Sequence, residues 1–413
     1  MVSYLNYIRF LAEADGQVNT HSAHVEEKFI LDGEKGLEAS VEGLRCIADE
    51  IGRGEIPAVS TKIDGIAIFF GWTSQGFFVS NKSLFNKAPK LAYTNEEIKA
   101  NWKADLFPML SLALELLPKI CPKDGCVYQG DFLFSKKTLK SVKIADVDSW
   151  AWHPNIIEYT VSKTSDIGKA VGKAKMGLVV HTRYTWDGVN PKTLGVAEFG
   201  ISKKQFRKSP DVFLIDTISN LSARNGQVGF GKGDWDEIGK LLKDALAMKS
   251  KIDWELLKDS GFAALLLPYY NTFVKSGTIP PVAARVDGFK AHVQEKMEKA
   301  VASRKTEKGQ AAQRALYEPY LDVKDKSLES IFLTMDMLTK VKLMVLDQLN
   351  RYAMYKNFVV TRKGDYISTK DEGFVIVKSA GKGLKLVDRL EFSRNNFSKD
   401  IVSGFEKNEF QLA

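Results

Sequence analysis

The sequence predicts an α+β fold in which antiparallel-type strands and short helices form one body, interrupted by a long helical block. Three observations lead there. The strand-like runs of the first half are short, β-branched and aromatic, and turns or single helices separate them without regular alternation. From about residue 233 the pattern changes to apolar residues three and four apart. After about residue 357 the strand pattern returns, so the last strands of the α+β body come from the far end of the chain.

Taken in order, residues 1–56 read as a helical segment. It starts with the amphipathic MVSYLNYIRFLAEADG and ends with Leu37, Val41, Leu44 and Ile47 at helical spacing. AVSTKIDGIAIFFGW and GFFVSNKSLF then read as a hairpin across a Thr-Ser-Gln-Gly turn. LFPMLSLALELLPKI is a helix stopped by prolines, and GCVYQGDFLF is the next strand. NIIEYTVS and GLVVHTRYTW are two further strands on either side of a helical DIGKAVGKAK. The block 211–356 is helical, with Phe289, Val293, Met297 and Val301 as one stripe. FVVTRKGDYIS and GFVIVKSAGKGLKLVD return to strand. The predicted division is therefore 1–56, then 57–210 with 357–413, with 211–356 inserted between the last two.

Composition narrows the function classes. Three cysteines among 413 residues are too few for a disulfide framework and point to a reducing compartment. Cys121 and Cys126 flank a Pro-Lys-Asp-Gly turn without the further ligands that zinc spacing requires. No apolar run is long enough to span a bilayer, and the first residues lack a basic start and a long apolar core. A cytoplasmic protein with no membrane contact is expected. A net charge of +8 is compatible with a polyanionic partner and equally with a plain basic protein. His21, His24, Glu26 and Glu27 read as a polar patch at a helix start, with a metal site as the lesser alternative. His153 reads as a loop residue, and Trp152, Trp186, Trp235 and Trp254 as packing residues.

The chemistry centres on Lys62-Ile63-Asp64-Gly65. A lysine attacks the α-phosphorus of a nucleotide if it is held beside it and has lost its proton. Neighbouring cations and partial desolvation are expected to lower its pKa to that end. Gly65 lets the backbone turn close to a nucleotide. Alone, the motif is weak, and a solvated lysine in a turn would look the same. Its company is more specific: Ser80-Asn81-Lys82 about 20 residues on, the strand with Gly130-Asp131, then Glu372-Gly373, then a strand bearing Lys382 and Lys385.

That ordered set resembles the motifs of the covalent nucleotidyltransferases, the ATP-dependent DNA and RNA ligases and the capping enzymes. The segments KIDGIAIFFG, NKSLFNK, VYQGDFLF and HPNIIEYTV resemble those of uncharacterised or ligase-like proteins of large tailed phages, whose host cytoplasm would then be the setting. The resemblance covers about 57–200 and 358–399, and the insertion lies outside it. It implies an antiparallel-sheet nucleotidyltransferase (adenylation) domain that uses ATP and Mg²⁺, with Mn²⁺ as a substitute.

It also implies roles. Lys62 would be the nucleophile that accepts AMP, with Asp64 and Gly65 at the nucleotide. Lys82 would contact the acceptor's 5′-phosphate. Asp131 stands where the family has a glutamate touching ribose or metal, one methylene shorter. His181 or Tyr184 would stack on adenine. Glu372 would hold the metal with Asp131, and Lys385 with Lys382 would neutralise the α-phosphate. Lysines and a metal aimed at a phosphorus that gains charge favour the transition state over the ground state.

The chain departs from the pattern at its end. Only 28 residues follow Lys385, too few for the oligonucleotide-binding barrel of most DNA ligases and capping enzymes, so no C-terminal OB domain is expected. The basic stretch RVDGFKAHVQEKMEKAVASRKTEKGQAAQR of the insertion is the expected substitute as a nucleic-acid clamp. A solvated helix pair is its plain alternative. The favoured expectation is a monomeric ATP-dependent polynucleotide ligase joining 5′-phosphate and 3′-hydroxyl ends in nicked duplex, DNA or mixed RNA/DNA, as in replication or repair. The alternatives are an RNA ligase, an enzyme adenylylating a protein or small molecule, and a non-catalytic nucleic-acid scaffold.

Overall fold

A computed structural model describes residues 23–404 apart from 56, 145, 187–193, 196, 217–228, 353–354, 379–381 and 394–397. The helix expected over MVSYLNYIRFLAEADG, and His21, lie outside the described residues.

Three sheets carry the strand half. The smallest joins β1 (Val59–Lys62), β13 (Gly373–Ile376) and β14 (Lys385–Leu386), all antiparallel. The second runs β10 (Val212–Ile215), β8 (Met176–Thr185), β4 (Cys126–Ser135), β2 (Ile66–Thr73) and β3 (Gly76–Ser80), with β9 (Ala197–Phe199) beside β8. The third runs β12 (Tyr366–Thr369), β11 (Lys356–Val360), β7 (Ile157–Ser162), β6 (Val147–Trp152) and β5 (Lys140–Ile144). The fold is thus mixed, with antiparallel sheets, as the sequence predicts. One pairing departs: β10 lies parallel to β8. Residues 212–215 therefore belong to a sheet and not to the helical block whose predicted start is 211.

The predicted strand run from 57 to 72 is two strands in two different sheets. β1 ends at Lys62, the chain turns through Asp64 and Gly65, and β2 begins at Ile66. The strands β5 and β6 fall in KTLKSVKIADVDSWAW, which carries no clean alternation and was not expected to pair.

The helices are α1 (Lys28–Gly52), α2 (Asn95–Asn101), α3 (Phe107–Leu116), α4 (Asp166–Lys173), α5 (Lys232–Ala247), α6 (Trp254–Lys258), α7 (Ser260–Ser276), α8 (Val282–Ala302), α9 (Glu307–Leu321) and α10 (Asp325–Leu349). α2 and α3 cover one face of the second sheet, burying Ile98, Leu110 and Leu116 with Ile68, Tyr128 and Leu178. Its other face packs Phe134 and Val179 against Trp152, Ile157 and Tyr159 of the third sheet.

α4 packs its Val171 with the third sheet, and the other helices form one core. Leu37, Leu44 and Ile47 of α1 pack with Leu266 of α7, Phe289 of α8 and Ile331, Leu338 and Val345 of α10. Phe374, Ile376, Leu384 and Leu386 of the smallest sheet belong to the same cluster. Residues 25–51 and 238–349, assigned to separate units in the sequence, therefore share an interior with the smallest sheet. Each element's apolar stripe is too wide to be covered alone, and burial of such side chains is the main drive that joins them.

Candidate active site

Lys62 lies where the three sheets meet. It closes β1, opposite Gly373 at the start of β13. This register sets Lys62 Nζ 2.5 Å from the Glu372 carboxylate. Val375 of β13 pairs with Lys385 of β14, so the two lysines and Glu372 come from one sheet. Gly373 is required there: its φ is +154°, and a Cβ would stand 2.3 Å from the Leu386 carbonyl oxygen.

The loop after Lys62 is bound to the other two sheets. Asp64 accepts hydrogen bonds from the backbone N–H of Ile156 and Ile157 at 2.7 and 3.1 Å, and from the Asn155 amide at 2.8 Å. Its own N–H lies 2.6 Å from the Tyr159 hydroxyl oxygen. Both carboxylate oxygens are thus engaged by protein, so Asp64 anchors the loop and the expectation that it binds the nucleotide is corrected. Gly65 lies against β4. A Cβ there would meet the Asp131 Cβ at 2.6 Å and the Phe132 carbonyl at 3.0 Å. Its smallness therefore serves the approach of loop to strand, bringing Lys62 towards Asp131.

Asp131 is 3.4 Å from Nε2 of His181. The β4–β8 ladder steps from Gln129↔Thr182 to Gly130↔Val180, which leaves His181 as the extra residue of a bulge. Bulges re-aim side chains, and this one sits next to the site. Tyr184, the other stacking candidate, is 4% exposed and packed with Phe69, Phe78 and Trp186. Its hydroxyl donates to Gln129 at 2.7 Å. It offers no ring face to a ligand, and that expectation is corrected: strand alternation sends it into the core.

Lys82 follows Asn81, whose side chain caps a short 3-10 turn, and is exposed at the rim. Its charge is felt by both Asp131 and Lys385. Lys382 is exposed in the turn between β13 and β14, as is Lys378 before it, and neither shares the cluster around Lys62.

The electrostatics differ from the expectation for Lys62. Burial pulls its pKa down, but Glu372, Asp64 and Asp131 outweigh this and hold it above the usual lysine range. The lowered lysine is Lys385, brought to about 8 by burial and then by the Lys62 charge. Burial raises Glu372, with Asp64 and Asp131 adding to it against Lys62. Burial opposes the charge of Asp131, yet the hydrogen bond and charge of His181, with Lys62 and Lys82, keep it below the usual range.

The sequence missed a supporting shell. Ala23–Val25 runs beside β14: Lys385 N–H donates to the Ala23 carbonyl at 2.9 Å, and Val25 N–H to the Lys385 carbonyl at 3.2 Å. Glu26 then pairs with Lys342 of α10 at 2.7 Å, both about 1% exposed. Glu27 pairs with Arg389, which also donates to Asn271 of α7. His24 is held well below its usual pKa by burial and by Arg389, Lys385, Lys342 and Lys62. The described members of the cluster read as a polar helix start, His24, Glu26 and Glu27, therefore lie in a buried ion network behind Lys385. One signal was legible: Lys342 falls on the apolar stripe of Leu338, Val345 and Leu349, where a lone lysine needs a buried partner.

Mg²⁺ commonly keeps one or two carboxylates and takes its other ligands from phosphates and water. Glu372 and Asp131, whose charges act on each other, fit that demand as hard oxygen donors. Among the described residues no group of three or more His, Cys, Asp or Glu is placed to hold a metal by itself. No helix among them is long and apolar enough to cross a membrane.

The model of a family described as a family of unknown function (DUF6267) matches residues 19–400. No curated protein and no solved structure matches the chain.

Proposed function

We propose that this chain, which belongs to the DUF6267 family, is an ATP-dependent nucleotidyltransferase that carries AMP on Lys62 and passes it to the 5′-phosphate of a nucleic-acid end. The observation that carries the reading is the convergence of motifs up to 323 residues apart on one cluster: Lys62, Asp131, Glu372 and Lys385, with Lys82 at the rim.

In the first step Lys62 Nζ attacks the α-phosphorus of ATP. A P–N bond forms, the bond from that phosphorus to the bridging oxygen of the β-phosphate breaks, and pyrophosphate leaves. The amine must first give up its proton, and Glu372 stands 2.5 Å away with its own pKa raised by burial. Asp131, with Glu372 once it has passed that proton to solvent, would hold Mg²⁺, which would supply positive charge to offset that of the phosphates. Lys385 in its charged form faces the negative charge that builds at phosphorus. Next, an oxygen of a 5′-phosphate attacks the lysyl-AMP phosphorus, forming a pyrophosphate link and freeing Lys62. A 3′-hydroxyl then attacks that activated 5′-phosphate, joining the strands and releasing AMP.

Nicked duplex is the acceptor proposed, because Lys82 and the net charge of +8 suit a polyanion. The test is intact mass after incubation with ATP and Mg²⁺, wild type beside Lys62→Ala. An AMP adduct on the wild type alone supports the reading. A wild type that arrives free of AMP and gains none sinks it. Nicked DNA, mixed duplex and RNA ends presented to the adenylylated protein then separate the ligases from one another.

A further inference from the structure

We infer that the β11–β12 hairpin is a docking surface for the nucleic-acid backbone flanking the reacting end. This inference rests on the nucleic-acid acceptor proposed above.

β12 is the outer strand of the third sheet, so one of its edges carries no neighbouring strand among the described residues. Its Tyr366 and Ile367 are 47% and 51% exposed, two consecutive large apolar side chains at the surface. Register assigns their faces. Tyr366 is opposite Val360 and shares a face with Phe358, whose ring it meets edge-on at 5.7 Å; Ile367 is opposite Val359 on the other face. Lys356 lies two residues before Phe358 on the Tyr366 face and is exposed. Arg362 and Lys363 occupy the turn, and Lys370 follows the strand, all three exposed. Arg362 is steadied by its Nε–H, which donates to the Lys399 carbonyl.

Four exposed cations therefore lie along the hairpin that carries this exposed ring, and Asp365 is the only acid from 356 to 370. Charge of this sign with an aromatic between suits phosphates on either side of a base or sugar face. The position suits the same occupant. The chain leaves β12 at Thr369 and reaches Glu372 three residues later. At most about 20 Å of extended chain separates Tyr366 from Glu372, a span of about six nucleotides at 3.4 Å each. The hairpin thus meets the strand within about six nucleotides of the end whose phosphate Lys62 would activate. Being a surface hairpin at a sheet edge, it can be altered without emptying a core.

The experiment is fluorescence anisotropy of a nicked 30-mer duplex against the full chain over a range of salt. Wild type is compared with Tyr366→Ala and with the triple change Arg362→Gln, Lys363→Gln, Lys370→Gln. Intact-mass labelling by ATP and Mg²⁺ runs on each protein as the readout that docking should not touch. The triple variant should lower the slope of log affinity against log salt by about 3 and weaken binding more than tenfold, while AMP labelling stays at the wild-type level. Tyr366→Ala should weaken binding about fivefold or more with the slope kept. Wild-type affinity and slope in both variants would overturn the inference and leave the open β12 edge to a protein strand. Hairpin-dependent binding in a chain that takes no AMP would uphold the docking surface and sink the AMP-transfer reading instead.

Discussion

Two lysine–glutamate pairs hold the molecule's two halves, and they differ in everything except their chemistry. Lys62 meets Glu372 at 2.5 Å and Lys342 meets Glu26 at 2.7 Å. The second pair is sealed, at about 1% exposure on each side, between α10 and the N-terminal segment beside β14. The first is 29% and 18% exposed, and two more carboxylates, Asp64 and Asp131, act on the same ammonium. A sealed pair, with only the buried Arg389 at 4.0 Å from Glu26 beside it, is closed to any ligand and serves structure. A reachable pair with surplus negative charge can surrender its carboxylate to a cation, or its proton to that carboxylate. The same two residue types therefore make a bolt in one place and the proposed reaction centre in the other.

Removing each lysine is the strongest test of that contrast. Lys62→Ala should abolish the AMP adduct in intact mass while costing under about 1 kcal/mol in denaturant unfolding, because the pair is part-exposed. Lys342→Ala leaves Glu26 buried with only Arg389, 4.0 Å away and already paired with Glu27, to offset it, and should cost about 3 kcal/mol in the same unfolding measurement. Equal stability losses for the two variants would erase the distinction drawn here.

The pH dependence sharpens it. In the proposed reaction the charged form of Lys385 is the useful one, and burial brings its pKa down to about 8. Adduct formation, followed by mass over time, should turn down as pH rises through about 8, and Lys385→Arg should move that downturn to higher pH. The linkage sign also follows. A lysine depressed to about 8 destabilises the fold below that pH, so its contribution to stability improves as pH rises from about 8 towards the unfolded value of about 10.4. Lys62 behaves oppositely: its raised pKa stabilises the fold below the unfolded value, and this is lost as pH rises through its folded pKa.

Smaller effects probe the loop. Gly65→Ala drives a Cβ to 2.6 Å from that of Asp131. It should cost about 1–3 kcal/mol and slow adduct formation by displacing Lys62. Tyr184→Phe removes one hydrogen bond to Gln129. A cost of about 0.5–1.5 kcal/mol with unchanged ATP affinity is expected, and a large rise in the ATP requirement would restore Tyr184 as a nucleotide contact.

The sequence by itself determined the class of the fold, the order of its strands and helices, and the motif residues that could do phosphorus chemistry. Those signals are local: periodicities of two and 3.6, turn glycines, and short spacings around Lys62 and Glu372. The strands β5 and β6 escaped because their outward faces mix polar and apolar residues without a regular period. What only the tertiary structure decided was which residues share a volume. It split the run after residue 57 between two sheets, turned Tyr184 inward and His181 outward across a bulge, and bound Asp64 to the backbone of β7. It also drew Glu26, Glu27, Lys342 and Arg389 into one buried network from three stretches of chain. The physical reason is that charge and burial act through space. The pKa of Lys62 is set by Glu372, 310 residues away in the sequence and 2.5 Å away in the fold, and no local pattern carries that distance.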